Sequence, residues 1–123
     1  MAIVNKKIGL TDTVLLSVPA GSRFAVTTIL VCNTASADTG GSNDSSFDLH
    51  LVPNGQAKGN ADPNSNQILN DLVVAGADTF TFDTEKIVLE GGDRIIAVSQ
   101  SPANLNATVT VSYTHLRAHE TTV

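Results

Sequence analysis

Arg23-Phe-Ala-Val-Thr-Thr-Ile-Leu-Val-Cys-Asn33 is the longest apolar run in the chain, and its pattern decides the fold class. A period of two puts Phe24, Val26, Thr28, Leu30 and Cys32 on one face and Ala25, Thr27, Ile29 and Val31 on the other. Val, Ile and Thr lose side-chain freedom in a helix and pack well on a pleated sheet, so the run reads as a strand. Both faces are apolar or β-branched, which predicts a central strand covered on both sides. The run falls far short of the roughly 20 apolar residues that cross a bilayer as a helix, so no membrane partner is expected.

Working outward, turn residues divide the rest of the chain into similar short segments. Ala2 to Ile8 ends at Gly9, and Thr13 to Val18 ends at Pro19-Ala-Gly21. Phe47 to Val52 turns Phe47, Leu49 and Leu51 inward and Asp48 and His50 outward. Gln67 to Val74 reads as a strand, although Ile68, Leu69, Leu72 and Val73 also fit one face of a short helix. Asp78 to Phe82 points Phe80 and Phe82 inward, and Thr84 to Leu89 continues it out of phase after a bulge or turn. Gly91-Gly-Asp93 turns the chain into Arg94 to Ser99, and Ala107 to Val111 closes the set. The polar stretches 34–46 and 56–66 read as surface loops projecting from the compact part. About eight short antiparallel strands spaced by turns predict a single all-β domain over residues 1–110, a β-sandwich or jelly roll. The four Phe residues (24, 47, 80 and 82) are expected to meet in its interior.

Composition narrows the function classes. Net charge is −5, the seven basic residues are scattered, and Lys6-Lys7 is the only adjacent pair, so no stripe exists to neutralise nucleic-acid phosphates. Met1 to Leu10 has no apolar core behind its lysines, so no secretory signal is expected and the chain is made in the cytoplasm. Cys32 is the single cysteine, which rules out an intrachain disulfide; within its apolar run it reads as a buried small hydrophobe.

Candidate chemistry is sparse, and no catalytic, cofactor-binding or metal-ligating residue is predicted. His50 stands two residues from Asp48 on one strand face, but no nucleophile-elbow pattern accompanies them, and a solvated polar face is the simpler reading. Asp38, Asp44 and Asp48 lie in or beside a glycine-rich loop of the kind that offers oxygen ligands to calcium, at a spacing that matches no EF-hand. No glycine-rich turn is followed by Gly-Lys-Ser/Thr, so a phosphate-binding loop is absent. Sugar sites usually offer Trp or Tyr faces; the chain has no Trp, and its one Tyr lies at position 113.

Val111-Ser-Tyr-Thr-His-Leu-Arg-Ala-His-Glu-Thr121 differs from everything before it. It resembles the translation of a transposase-type sequencing adapter, codon by codon, and the adapter's preceding bases also complete the codon of Thr110. The resemblance implies that residues 111–123 form a non-native tail on an open reading frame that ran off the end of a sequenced fragment. His115 and His119, four apart with Glu120 adjacent, would otherwise suggest two imidazoles on one helix face as in a metal site.

Two further blocks carry a resemblance of another kind. Pro19-Ala-Gly-Ser-Arg-Phe-Ala-Val-Thr-Thr-Ile-Leu-Val-Cys-Asn-Thr34 and Asp83-Thr-Glu-Lys-Ile-Val-Leu-Glu-Gly-Gly-Asp-Arg-Ile-Ile-Ala97 are similar to segments of small virion structural proteins of tailed, especially marine, bacteriophages. The shared motifs specify strands and turns rather than chemistry. The resemblance implies a non-enzymatic virion component (capsid decoration, neck, or tail and fibre subunit) assembled in the host cytoplasm. Its expected partners are other virion proteins and further copies of itself, a trimer being favoured. The alternative is a phage-tail module that binds glycans or the host surface through the two polar loops.

Overall fold

The alternation of the long central strand breaks at one residue, and that break sets which side chains reach the core. The computed structural model describes residues 2–59, 65–83 and 87–115, with the backbone alone at 114 and 115. Its described residues form nine strands and no helix: β1 (Ala2–Lys7), β2 (Thr13–Ser17), β3 (Ser22–Asn33), β4 (Ser45–Val52), β5 (Gln67–Val74), β6 (Thr79–Phe82), β7 (Ile87–Glu90), β8 (Arg94–Ser99) and β9 (Leu105–His115). In the β3–β9 ladder Val26 pairs with Val111 but Thr28 with Thr110, so Thr27 is an extra residue on β3. Its hydroxyl lies 2.6 Å from that of Thr110, which ties the bulge to the neighbouring strand. Phe24 and Val26 before the bulge, and Ile29 and Val31 after it, are therefore all buried in the core. The uninterrupted alternation expected from sequence would have put these pairs on opposite faces. Leu30 and Cys32 turn outward instead and are half-buried, so Cys32 is not the buried core residue expected.

A second bulge resolves the segment whose pattern also suited a helix. Phe47 pairs with Leu72 and Leu49 with Leu69, so Asp48 alone faces Asn70 and Asp71. Asp71 takes up the extra residue at φ 55°, a left-handed conformation that Asp tolerates better than most side chains. Leu69 and Leu72 both reach the core although they stand three apart, which is the helix-like spacing seen in the sequence.

The two sheets run β1-β9-β3-β6, with β7 also on β3, and β2-β8-β4-β5. Strands β6 and β7 lie in tandem along one edge of β3, β6 against Ile29–Cys32 and β7 against Arg23–Val26. Counted as one interrupted strand, they leave eight. First then pairs with last, second with seventh, third with sixth and fourth with fifth, the winding of a jelly roll. The expected all-β sandwich is the observed fold. Its last strand begins two residues earlier than expected and runs past residue 110 to His115, with Val111 fully buried. Every other β9 residue from Leu105 to Val111 is buried.

The aromatic residues divide into two groups. Phe47 lies 6.0 Å from Phe80, and Phe80 lies 6.4 Å from Phe82, centroid to centroid. Phe24 sits apart from them, edge-on to Tyr113 at 4.5 Å. All four Phe residues share the one expected interior, Phe24 and Phe47 within the core and Phe80 and Phe82 packed against it, while their ring contacts form a row of three and a separate pair.

The loop after β3 does not project freely. The Asn33 side-chain amide donates to Asn43 O and Val74 O, and Asn43 donates to Ser36 O. A Cβ on Gly76 would meet Ser36 O at 2.3 Å, so this glycine permits the close approach of the loop to the β5–β6 turn.

Fully buried Phe47 to Ala should cost about 3–5 kcal/mol, half-buried Phe82 to Ala roughly half that, and outward Thr81 to Ala under about 1. Urea denaturation of the three variants checks the order, and equal losses for Phe82 and Thr81 would overturn the assigned strand phases.

Candidate functional site

The polar side chains singled out in the sequence are each engaged in a different place. His50 faces away from the sandwich interior, as its alternation predicts, yet it is only 2% exposed. The chain beyond β4 folds back over this face and covers it. The Arg94 guanidinium donates to Gln56 O. Lys58 Nζ lies 3.2 Å from Asp12 Oδ1, just ahead of β2. The segment thus reaches from the end of β4 across β8 toward the start of β2, over buried Val52 and Ile96.

Asn66 is the hub beneath it. Its Oδ1 accepts the Gly59 N–H at 2.8 Å and lies 3.0 Å from His50 Nδ1. Its Nδ2 donates to Ala57 O at 2.9 Å and to Gln56 Oε1 at 3.4 Å. The Gly59 donor and the Ala57 acceptor fix which end of the amide is oxygen, so His50 carries its proton on Nδ1 and donates. His50 is therefore a strut under a loop and not part of a solvated strand face. Asp48 does not pair with it, because Asp48 Oδ1 accepts the Asp71 N–H at 2.7 Å.

The other carboxylates of the loop are dispersed. Asp38 accepts the Ser42 hydroxyl and the Gly40 N–H, and these bonds, Ser42 first, hold its carboxyl below the usual Asp value. Asp44 Oδ1 accepts the Gly76 N–H at 3.3 Å. Asp38, Asp44 and Asp48 thus brace three separate stretches of backbone. Among the described residues no three His, Cys, Asp or Glu side chains gather as a metal-sized group. His115 ends a β-strand rather than sitting on a helix, and His119 and Glu120 lie outside the described residues.

One open pocket of ≈ 220 Å³ lies between Leu51–Pro53 and Ile87–Leu89, with Asp93 the only charged member among the described residues. Asp93 is already committed, one oxygen accepting the Asn54 N–H and the other the Glu90 N–H. The pocket has no convergent set of free polar groups of the kind that orients a small ligand.

Sequence reasoning missed the outer face of the β1-β9-β3-β6/β7 sheet. Its outward positions include Ile3 (67% exposed), Ala25, Thr28, Leu30, Thr81, Thr108, Thr110 and Val88 (53% exposed). Among the described residues its charge is confined to Lys7 and to the Arg23–Glu90 pair, joined at 2.6 Å, whose hydrogen bond and attraction raise the Arg23 pKa. The signal was present in Thr79-Phe-Thr81 and Thr108-Val-Thr110, where the outward phase is polar but uncharged.

Asn66 to Ala would leave the His50 and Gly59 N–H groups without their acceptor, at about 1–3 kcal/mol each. The variant should melt earlier, and trypsin should cut after Lys58 faster than in the parent protein; an unchanged cleavage rate would refute the strut. The lowered Asp38 pKa means that its bonds to Gly40 and Ser42 stabilise the loop above the ordinary Asp value of about 4 and are lost as pH falls through the lowered value. The Gly40 amide resonance should therefore move in acid but stay constant from pH 5 to 7, roughly one to three units above that value.

No family model matches the chain, and neither a curated protein nor a solved structure matches it.

Proposed function

We propose that this chain is a structural subunit of a phage virion, a capsid decoration, neck, or tail and fibre component, that works by packing copies of its β-sandwich together. The observation that supports this reading most is the use of its polar side chains. His50, Asn66, Asp38, Asp44, Asp48 and Asp93 are each bonded into the chain's own backbone or loops. One whole sheet face, by contrast, is left Thr-rich and nearly uncharged. A chain with that division has its chemistry spent on shape and its free surface suited to contact with protein. A glycan-binding module would want free polar groups on its loops, whereas Asn43 and Asn66 bond the loop backbone itself.

The virion setting rests on the resemblance of residues 19–34 and 83–97 to phage structural proteins. We also propose that residues 111–123 are adapter-derived. Strand pairing is a backbone interaction, so a foreign Val-Ser-Tyr with the right alternation can complete β9 beside β1 and β3.

Mass spectrometry of purified particles should find the chain in fixed proportion to the other virion proteins; its absence from particles of cells that express it would end the proposal. In solution the protein should sediment as a multiple of 12.8 kDa. Amplification from source DNA should read a different sequence past codon 110, and an identical one would refute the adapter origin.

A further inference from the structure

The two outer faces of the sandwich are unequal. That of the β2-β8-β4-β5 sheet is crossed by the chain's own segment beyond β4, which buries His50, Val52 and Ile96. The outer face of the β1-β9-β3-β6/β7 sheet leaves Ile3 at one edge and Val88 at the other exposed. We infer that two copies of this chain pack against each other through that second face, a surface that deepens the oligomer reading above and rests on it.

Three observations carry the inference. The first is charge. The chain bears −5 overall, yet among the described residues Glu90 is the one acidic side chain in an outward position of this sheet, and Arg23 neutralises it. Lys7 adds a positive charge, while the opposite sheet carries Asp48 and Asp71 outside its core. Two acidic copies therefore approach with least repulsion through this face.

The second is hydrogen bonding. Thr108 donates to Asn5 Oδ1 at 2.8 Å, and the hydroxyls of Thr27 and Thr110 bond to each other. These groups are satisfied within the plane of the sheet, so covering them with protein orphans none of them.

The third is size. Strands of six, eleven, twelve and twice four residues, at about 4.8 Å spacing and a rise of about 3.3 Å per residue, give a face of roughly 600 Å². A stable interface buries about 800 Å² per partner, so this face supplies about three quarters of one. Face-to-face packing of one surface on itself is isologous and closes at two copies, so the unit is a dimer and not the trimer expected from sequence.

The test is sedimentation of the full chain at tens of micromolar, with thermal melts in parallel. The parent protein should run at twice 12.8 kDa. Ile3→Glu with Val88→Glu places four new carboxylates in the dimer and should raise its dissociation constant on the order of 100-fold or more, with a melt close to that of a folded monomer. Val73→Glu, exposed on the other sheet, should leave the dimer intact. A double variant that dimerises like the parent, or a parent that sediments as a trimer, overturns this face while leaving oligomerisation standing. A parent that stays monomeric overturns both. Should the double variant fail to fold, maleimide labelling of Cys32, which lies on this face, reads the same contact in the parent protein. Labelling should slow as protein concentration rises through the dimer transition, and a concentration-independent rate would refute the inference.

Discussion

The β3–β9 ladder is the contact on which the rest of the structure depends. It pairs Ser22 through Asn33 with His115 through Leu105, joining the first third of the chain to its end. In its sheet, β1 has only β9 for a partner, and β6 and β7 have only β3. Removing the ladder would therefore split the sheet into a β1–β9 pair and a β3–β6/β7 fragment. The bulge at Thr27 lies within this ladder, so one extra residue chooses which half of β3 faces the core with which phase. The cross-strand bond between Thr27 and Thr110 holds that choice in place.

The second constraint is the way the chain covers itself. A jelly roll buries one face of each sheet against the other and leaves two outer faces to be managed. Here the β2-β8-β4-β5 sheet is managed internally, by a segment held through Asn66, Arg94 and Lys58. Asn66 bonds two backbone groups, the His50 ring and a Gln side chain, and so turns a polar stretch into a lid with its own buried layer. The other outer face has no such lid among the described residues, and its composition is the one that tolerates a protein neighbour.

Much of the fold was legible in the sequence. Turn residues at Gly9, Pro19–Gly21 and Gly91–Asp93 marked strand ends, and the inward phases of Phe47, Leu49, Phe80 and Phe82 follow from simple alternation. The candidate sites were less legible. Asp48 and His50 share a face, but the structure gives one to the Asp71 amide and the other to Asn66. Asp38 and Asp44 are near in sequence, yet one bonds Gly40 within its own loop and the other reaches Gly76 after β5. Proximity along a chain says which residues could meet, while backbone donors nearby decide which do.

The sequence by itself determined that this chain is a sheet protein with a low charge fraction, because the period of apolar residues and the placement of turn formers are local properties. It also determined that no helix-spaced or motif-borne chemistry dominates the region before residue 111. Only the tertiary structure decided the phase of β3 beyond Thr27, the burial of His50, and the exposure of one sheet face. A bulge shifts every later side chain to the opposite face, and a returning loop converts an outward position into a buried one. Both depend on what lies across the fold, through long-range contacts that no window of neighbouring residues contains.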